Sequence, residues 1–155
     1  MQDGWLGLLV VAIVGLATVT ATVLTHHEGL QWIDRRCFGG GKPRRSSLVM
    51  SVLLVLSLHV VHILIYAFGF WGITLLPVGG WIGEQDATAT LADAFYLSAI
   101  NYSTLGMAGD LMPTGSTRLL VALESIAGLL MITWSASFTY NRLSRKLGGD
   151  DSGQS

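Results

Sequence analysis

The chain has 155 residues, of which 51% are hydrophobic and 12% charged, and its mean hydropathy is +0.56. Soluble domains usually carry about a quarter charged residues, so this composition excludes an ordinary water-soluble domain and favours a membrane protein. The net charge of -1 gives no sign of a nucleic-acid partner, and the single cysteine, Cys37, excludes a disulfide within the chain.

Three segments are long and apolar enough to cross a bilayer, which needs about 20 such residues. They run over Trp5–Leu24, Leu48–Trp71 and Thr117–Tyr140. A fourth stretch, Leu91–Ile100, is too short to cross and is predicted to be a re-entrant or interfacial helix, with Thr90 as its N-cap and Asp93 in its first turn. The sequence therefore predicts an all-α membrane protein with three transmembrane helices and a short helix before the third.

Basic residues are distributed unevenly among the connecting segments. The loop after the first span and the tail after the third hold nearly all of them: Arg35, Arg36, Lys42, Arg44, Arg45, Arg142, Arg145 and Lys146. Because basic loops stay in the cytoplasm, we expect an outside amino terminus and a cytoplasmic carboxyl terminus. Arg44 and Arg45, beside two serines, are also candidates for binding anionic lipid headgroups.

The residues after the short helix, Ser103 to Asp110, are rich in small side chains and contain Gly106 and Gly109. Glycine permits an extended strand whose carbonyls point to one side. Irregular backbone at membrane depth is tolerated only where it is buried in protein or lines a water-filled cavity. We interpret a short helix followed by such a strand as a pore loop; a glycine-rich turn linking two helices is the alternative.

Here the chain resembles a known family. The runs AFYLS (94–98), YSTLG (102–106) and GD (109–110) resemble the pore helix and filter of potassium channels, which reads Thr-Val-Gly-Tyr-Gly-Asp or close variants. Residues 118–130 resemble the inner helix of the small bacterial two-helix potassium channels, which often carry an additional amino-terminal helix. The resemblance covers about residues 48–145 and implies a homotetrameric cation channel of a bacterial inner membrane, not an enzyme.

Hydropathy and charge predict an amino-terminal transmembrane helix (1–25), a cytoplasmic basic loop (26–47) and a disordered tail (147–155). The resemblance implies that residues 48–146 form a pore domain, and it implies roles for individual residues. Carbonyls of Thr104, Leu105, Gly106 and Met107 would bind the permeant ion, K⁺, with no other cofactor. Filter support and the outer mouth would be formed by Tyr96, Ser103, Ala108, Gly109, Asp110 and Glu124, with Glu124 hydrogen-bonded behind the pore helix to Tyr96 or Asn101. The third span would line the inner cavity, with Ser135 and Ser137 facing water.

The filter departs from the family pattern. After Thr104-Leu105-Gly106 the family has an aromatic residue and then Gly-Asp, whereas this chain has Met107 and an additional Ala108 before Gly109-Asp110. Methionine is flexible and cannot form the hydrogen bonds of a tyrosine. Two other readings therefore stay open: a non-conducting or altered-selectivity membrane scaffold, and a histidine-based metal transporter.

Four histidines and one glycine complete the set of candidates. His59 and His62 share a helix face and are weak candidates for metal ligands. They are expected at mid-membrane, whereas His26 and His27 are expected at the membrane edge, too far away to share an ion with them. Hydrogen bonds between helices are the alternative role. Gly128 is a candidate gate hinge or a close packing contact between helices.

Overall fold

A computed structural model describes residues 4–39, 45–76, 82, 89–106 and 111–148. They form α1 (Trp5–Phe38), α2 (Arg45–Thr74), α3 (Leu91–Tyr102) and α4 (Thr117–Gly148). α1, α2 and α4 are long and apolar enough to cross a membrane. α3 has 12 residues and is about 18 Å long, well short of the ~30 Å hydrocarbon core. The predictions of an all-α fold, three helices long and apolar enough to span a membrane and one short helix before the last of them are confirmed.

The long helices alternate in direction, which separates the charges of the bundle. The end of α1, the start of α2 and the end of α4 meet at one end, where Arg142 pairs with Asp34 and its guanidinium lies 5.9 Å from the ring centre of Phe38. We call this the basic end; its described basic side chains are Arg35, Arg36, Arg45 and Arg142. At the opposite end, where α2 finishes and α4 begins, Arg118 is the one basic side chain in the described ranges.

The first helix is longer than the sequence predicted. We expected a span over Trp5–Leu24 and a loop over 26–47, but α1 continues to Phe38. One face of α1 stays buried throughout, with a buried residue at every third or fourth position: Gly7, Val11, Gly15, Thr18, Thr22, His26, Leu30 and Ile33. Burial of this stripe stabilises α1 over its whole length, although its second half is too polar to be recognised in the sequence as a membrane span.

The bundle holds two apolar clusters with polar side chains between them. One cluster joins all four helices toward the end of the bundle opposite to the basic end. It includes Val11, Phe70, Leu97 and Leu120. The other joins α1 and α2 near the basic end and includes Leu30, Ile33 and Val55. Burying apolar side chains between helices positions the polar groups between the two clusters, because a well-packed core tolerates little shift along the helix axes.

α3 is fixed at both ends. At its start, Thr90 and Asp93 form the predicted capping box: the Asp93 N–H donates to Thr90 Oγ1 and the Thr90 N–H donates to Asp93 Oδ2 at 2.8 Å. At its end, the backbone of Tyr102 lies directly against Gly128 of α4, where any β-carbon would collide with the Tyr102 carbonyl. Gly128 is therefore the close packing contact that the sequence allowed; its role as a gate hinge stays a prediction.

Replacing Gly128 with alanine should lower the stability of the fold. The added methyl group must push α3 away from α4, which costs about 1–3 kcal/mol of unfolding free energy. Gly72→Ala is the matched control, because Gly72 also lies in a long helix and a β-carbon there would meet nothing within 4 Å. Unfolding midpoints in detergent measure both; equal midpoints for the two variants would contradict the packing role.

The capping box should weaken in acid. Hydrogen bonds from the Thr90 side chain and backbone lower the pKa of the Asp93 carboxyl. The folded pKa is thus below the unfolded value of about 3.9, so the cap stabilises the fold above that value and is lost as pH falls through the folded pKa. Asp93→Asn should cost up to about 1 kcal/mol at neutral pH. The difference in unfolding free energy between the variant and the natural chain should shrink at about pH 3. A difference in melting temperature that does not change with pH would contradict the stabilising role of the Asp93 carboxylate.

Candidate functional site

The candidate site begins where α3 ends. The Leu105 N–H donates to the Ile100 carbonyl at 2.9 Å and the Thr104 N–H donates to the Asn101 carbonyl at 3.0 Å. This pair of bonds is the Schellman pattern of helix termination, which places one residue in the left-handed region. That residue is Thr104, with φ of 63°. Glycine is usual here, and a β-branched threonine is an outlier, so this turn is held by its surroundings at a cost in strain.

The segment after the turn is open in the single chain. Ser103, Thr104, Leu105 and Gly106 are all exposed, and Leu105 keeps 73% of its surface accessible. Gly106 has φ of 71°, a conformation that a side chain would strain. Met107, Ala108, Gly109 and Asp110 lie outside the described residues, so the roles assigned to them stay predictions.

A cluster of aromatic and imidazole rings lies directly behind this segment, between the two apolar clusters. The Tyr102 hydroxyl is 2.9 Å from His59 Nδ1 and 3.0 Å from His62 Nδ1. The ring centre of His26 lies 5.2 Å from that of His62 and 5.2 Å from that of Trp134. We call these five side chains the histidine cluster; it joins α1, α2, α3 and α4, and His26 and His62 are fully buried.

The predicted separation of the histidines is wrong. His26 was expected at the membrane edge, yet its ring centre lies 5.9 Å from that of His59, and His59 sits at the middle of α2. The reason is the longer α1, whose buried stripe carries His26 inward beside α2. His27, one position on, is exposed and hydrogen-bonded to Gln31 at 2.7 Å. It lies at the rim of the cluster, with its ring centre 6.2 Å from that of Trp134.

The shared phenol fixes the protonation pattern of its two imidazoles. A tyrosine hydroxyl has one hydrogen, so it donates to one Nδ1 and accepts from the other. When both rings are neutral, one of His59 and His62 must carry its hydrogen on Nδ1 and the other on Nε2. The expected hydrogen bonds between helices are therefore present, and Tyr102 supplies them.

The cluster has spare polar atoms but no assembled metal site. Within the described ranges, both ring nitrogens of His26 and Nε2 of His62 are buried without a hydrogen-bond partner. Among those same residues, no group of three histidine, cysteine or carboxylate side chains is arranged to hold a metal ion. The geometry gives no support to His59 and His62 as metal ligands.

Glu124 holds the middle of α3, as a carboxylate behind the pore helix was expected to do, but through a different partner. It is fully buried, and its Oε1 is hydrogen-bonded to the Ser98 hydroxyl rather than to Tyr96 or Asn101. The Ser98 hydroxyl is also 2.8 Å from the Ile63 carbonyl of α2. Ser98 has one hydrogen and a carbonyl can only accept, so both contacts are full hydrogen bonds at once only when Glu124 is the neutral acid.

The remaining predicted residues are placed as follows. Tyr96 points away from the bundle with 53% of its surface exposed. Ser135, expected to face water, is buried inside the single chain, whereas Ser137 is exposed. Asn101 is buried and donates to the Leu97 carbonyl of its own helix at 2.8 Å.

The sequence did not predict the contacts of Tyr102, Trp134 and His26 in the histidine cluster, or the contact of Ser98 with Glu124. A signal was present: polar residues recur at helical spacing on one face of each apolar helix, as Thr18, Thr22 and His26 do on α1. Polar side chains inside membrane helices face other helices, so these stripes predict mutual contact. They do not predict which stripe meets which, since that depends on how the helices are displaced along one another.

No protein-family model, curated protein or solved structure matches this chain.

Replacing Tyr102 with phenylalanine should destabilise the bundle. The change keeps the ring but leaves the buried Nδ1 of His62 without its partner, which costs about 1–3 kcal/mol. Tyr96→Phe is the control, since it removes the same atom from an exposed position on the same helix. Thermal unfolding in detergent should separate the two variants, and an unfolding midpoint for Tyr102→Phe equal to that of Tyr96→Phe would refute the bridging role.

Proposed function

We propose that the chain is one subunit of a homotetrameric cation channel of potassium-channel type, in which residues 103–110 line the ion path. The observation that carries the proposal is the exposed, non-helical segment 103–106, which leaves α3 beside the middle of α2. His59 and His62, which hold Tyr102, are the fifteenth and eighteenth of the 30 residues of α2. A helix too short to cross, ending at half the height of a spanning helix, fits a re-entrant pore helix.

The connections at the other end support the same path. α2 ends at Thr74 and α4 begins at Thr117, and between them Ile82 and Pro113 form a β-bridge. The chain thus passes from the end of α2 to the middle of the bundle along α3 and returns to the same end before α4. In a membrane this path enters and leaves from one side.

The exposure of the segment argues for further copies. Peptide groups in the hydrocarbon region need protein or water around them, and one chain leaves 103–106 uncovered. Phe95 and Tyr96 of α3 are also exposed. A closed ring of identical chains would cover these surfaces and enclose a water-filled axis, because homo-oligomers favour closed symmetry.

The backbone conformation suits cation binding. φ is positive at Thr104 and Gly106 but not at Leu105 between them. The N–H groups of Leu105 and Gly106 both donate to the Ile100 carbonyl, at 2.9 and 3.3 Å. These N–H groups are therefore already used within the chain, and an ion in the path would meet the carbonyls. Rings of such carbonyls replace the hydration shell of an ion in potassium-selective filters. The carboxyl-terminal dipole end of α3 adds negative potential at the same place.

α4 has a face suited to pack against its own copies. Six of its exposed positions recur with a seven-residue period: Ala122, Ile126, Leu129, Thr133, Ala136 and Tyr140. A seven-residue apolar repeat favours left-handed packing between like helices. Thr133, together with exposed Ser137, would give the inner part of the path polar groups.

The channel reading predicts cation flux that depends on Gly106. The purified chain in liposomes should pass K⁺ in preference to Na⁺, measured with a fluorescent flux assay, and should elute with the mass of four chains. Gly106→Ala should reduce flux at least about tenfold, because alanine at a positive φ costs about 1 kcal/mol or more in each of four copies. Gly72→Ala, in a helix with open space around it, should conduct like the natural chain.

Three outcomes would overturn the proposal. A tetramer without flux would favour the non-conducting scaffold, and a monomer without flux would exclude the shared axis altogether. If Gly106→Ala conducts like Gly72→Ala, the segment is not the ion path.

A further inference from the structure

The basic end of the bundle contains a cavity of about 370 Å³ between the end of α1 and the start of α2. Its polar wall is formed by Arg36, Ser46 and Ser47, and Trp32 and Cys37 line it beside them. Arginine and hydroxyl donors together suit a phosphate group, and tryptophan is common at the level of lipid headgroups.

A second cavity continues the first toward the middle of the bundle. It has a volume of about 220 Å³ and shares Trp32 and Leu54 with the first cavity. Its other lining residues, among them Ile33, Leu58 and Val61, are almost entirely apolar. The two cavities therefore form one groove along α1 and α2, polar at the basic end and apolar toward the centre.

The dimensions and polarity of this groove match one lipid leaflet. From Ser47 to Val61 α2 rises by about 21 Å, close to half of the ~40–45 Å thickness of a bilayer with its headgroups. A soluble anion would use the polar part alone and leave the apolar part empty. A phospholipid lying along the helices would fill both.

The charges near the groove select the headgroup. Asp34, the acidic side chain closest in sequence to the lining Arg36, is already paired with Arg142. Arg36 lines the cavity, and Arg45 adjoins the lining Ser46. A headgroup with a net negative charge is therefore favoured over a zwitterionic one. Arg36 is therefore the basic residue at the centre of the site. The sequence suggested Arg44 and Arg45 instead. Arg44 lies outside the described residues, and Arg45 adjoins the lining Ser46.

We propose that this groove binds one phospholipid with a net negative headgroup. Its phosphate lies against Arg36, Ser46 and Ser47, and an acyl chain follows the apolar wall formed by Ile33, Leu54, Leu58 and Val61. The site requires a membrane but not conduction, so it stands or falls independently of the channel proposal.

Lipid retention tests the site directly. Native mass spectrometry of the purified chain in detergent, with added phosphatidylglycerol, should show one retained lipid per chain. Arg36→Gln should weaken this binding about tenfold, the effect of losing one charge-assisted hydrogen bond. Arg35→Gln is the matched control. It removes the same charge from the neighbouring residue, which does not line the cavity. Equal losses in the two variants would mean that general charge, not this groove, binds the lipid.

The single cysteine provides a second, independent measurement. Cys37 lines the cavity, so phosphatidylglycerol should slow its alkylation by an uncharged maleimide, and phosphatidylcholine should slow it less. The ratio of the alkylation rates with and without phosphatidylglycerol should approach one in Arg36→Gln. In Arg35→Gln it should equal the ratio of the natural chain. Inorganic phosphate alone should give no protection. Protection by phosphate equal to that by lipid, or equal protection by both lipids, would overturn the proposal.

Discussion

The end of α3 depends on one phenol hydroxyl shared by two imidazoles. Tyr102 contacts His59 and His62 at mid-height of α2, and its backbone rests on Gly128 of α4. In a low-dielectric interior each of these polar groups would be costly without its partner, so the contact has few alternatives. It fixes the height at which the helix ends and the chain becomes irregular, and the exposed segment 103–106 follows from that.

The same interaction connects the ion path that we propose to the rest of the bundle. Tyr102 immediately precedes Ser103, and the rings around it come from all three long helices. A displacement of α1 or α4 that moved His26 or Trp134 would act on the histidine cluster and, through Tyr102, on the strained turn at Thr104. Ser98 and Glu124 hold α3 one turn earlier. The short helix is thus held at two levels by buried polar contacts.

The middle of the bundle and its basic end present different groups. Near the middle, polar side chains face inward and leave buried nitrogen atoms on His26 and His62, whereas the basic end presents arginines and a groove that is graded from polar to apolar. The lipid site and the ion path that we propose therefore use separate residues, although α1 and α2 contribute to both regions. α1 carries His26 at one level and Trp32, Arg36 and Cys37 at the other.

The sequence alone determined the helix content, because apolar runs of about 20 residues and a capping pair at Thr90 and Asp93 are local signals. It also placed non-helical backbone after the short helix and a carboxyl group inside the third span, at Glu124. It did not determine where α1 ends or that His26 meets His59 and His62, because those facts depend on how far one helix slides along another. That displacement is decided by packing of side chains distant in sequence, as Gly15 packs against Leu120 and Leu123. Only the tertiary structure could therefore reveal the histidine cluster, the contact between Ser98 and Glu124, and the groove along α1 and α2.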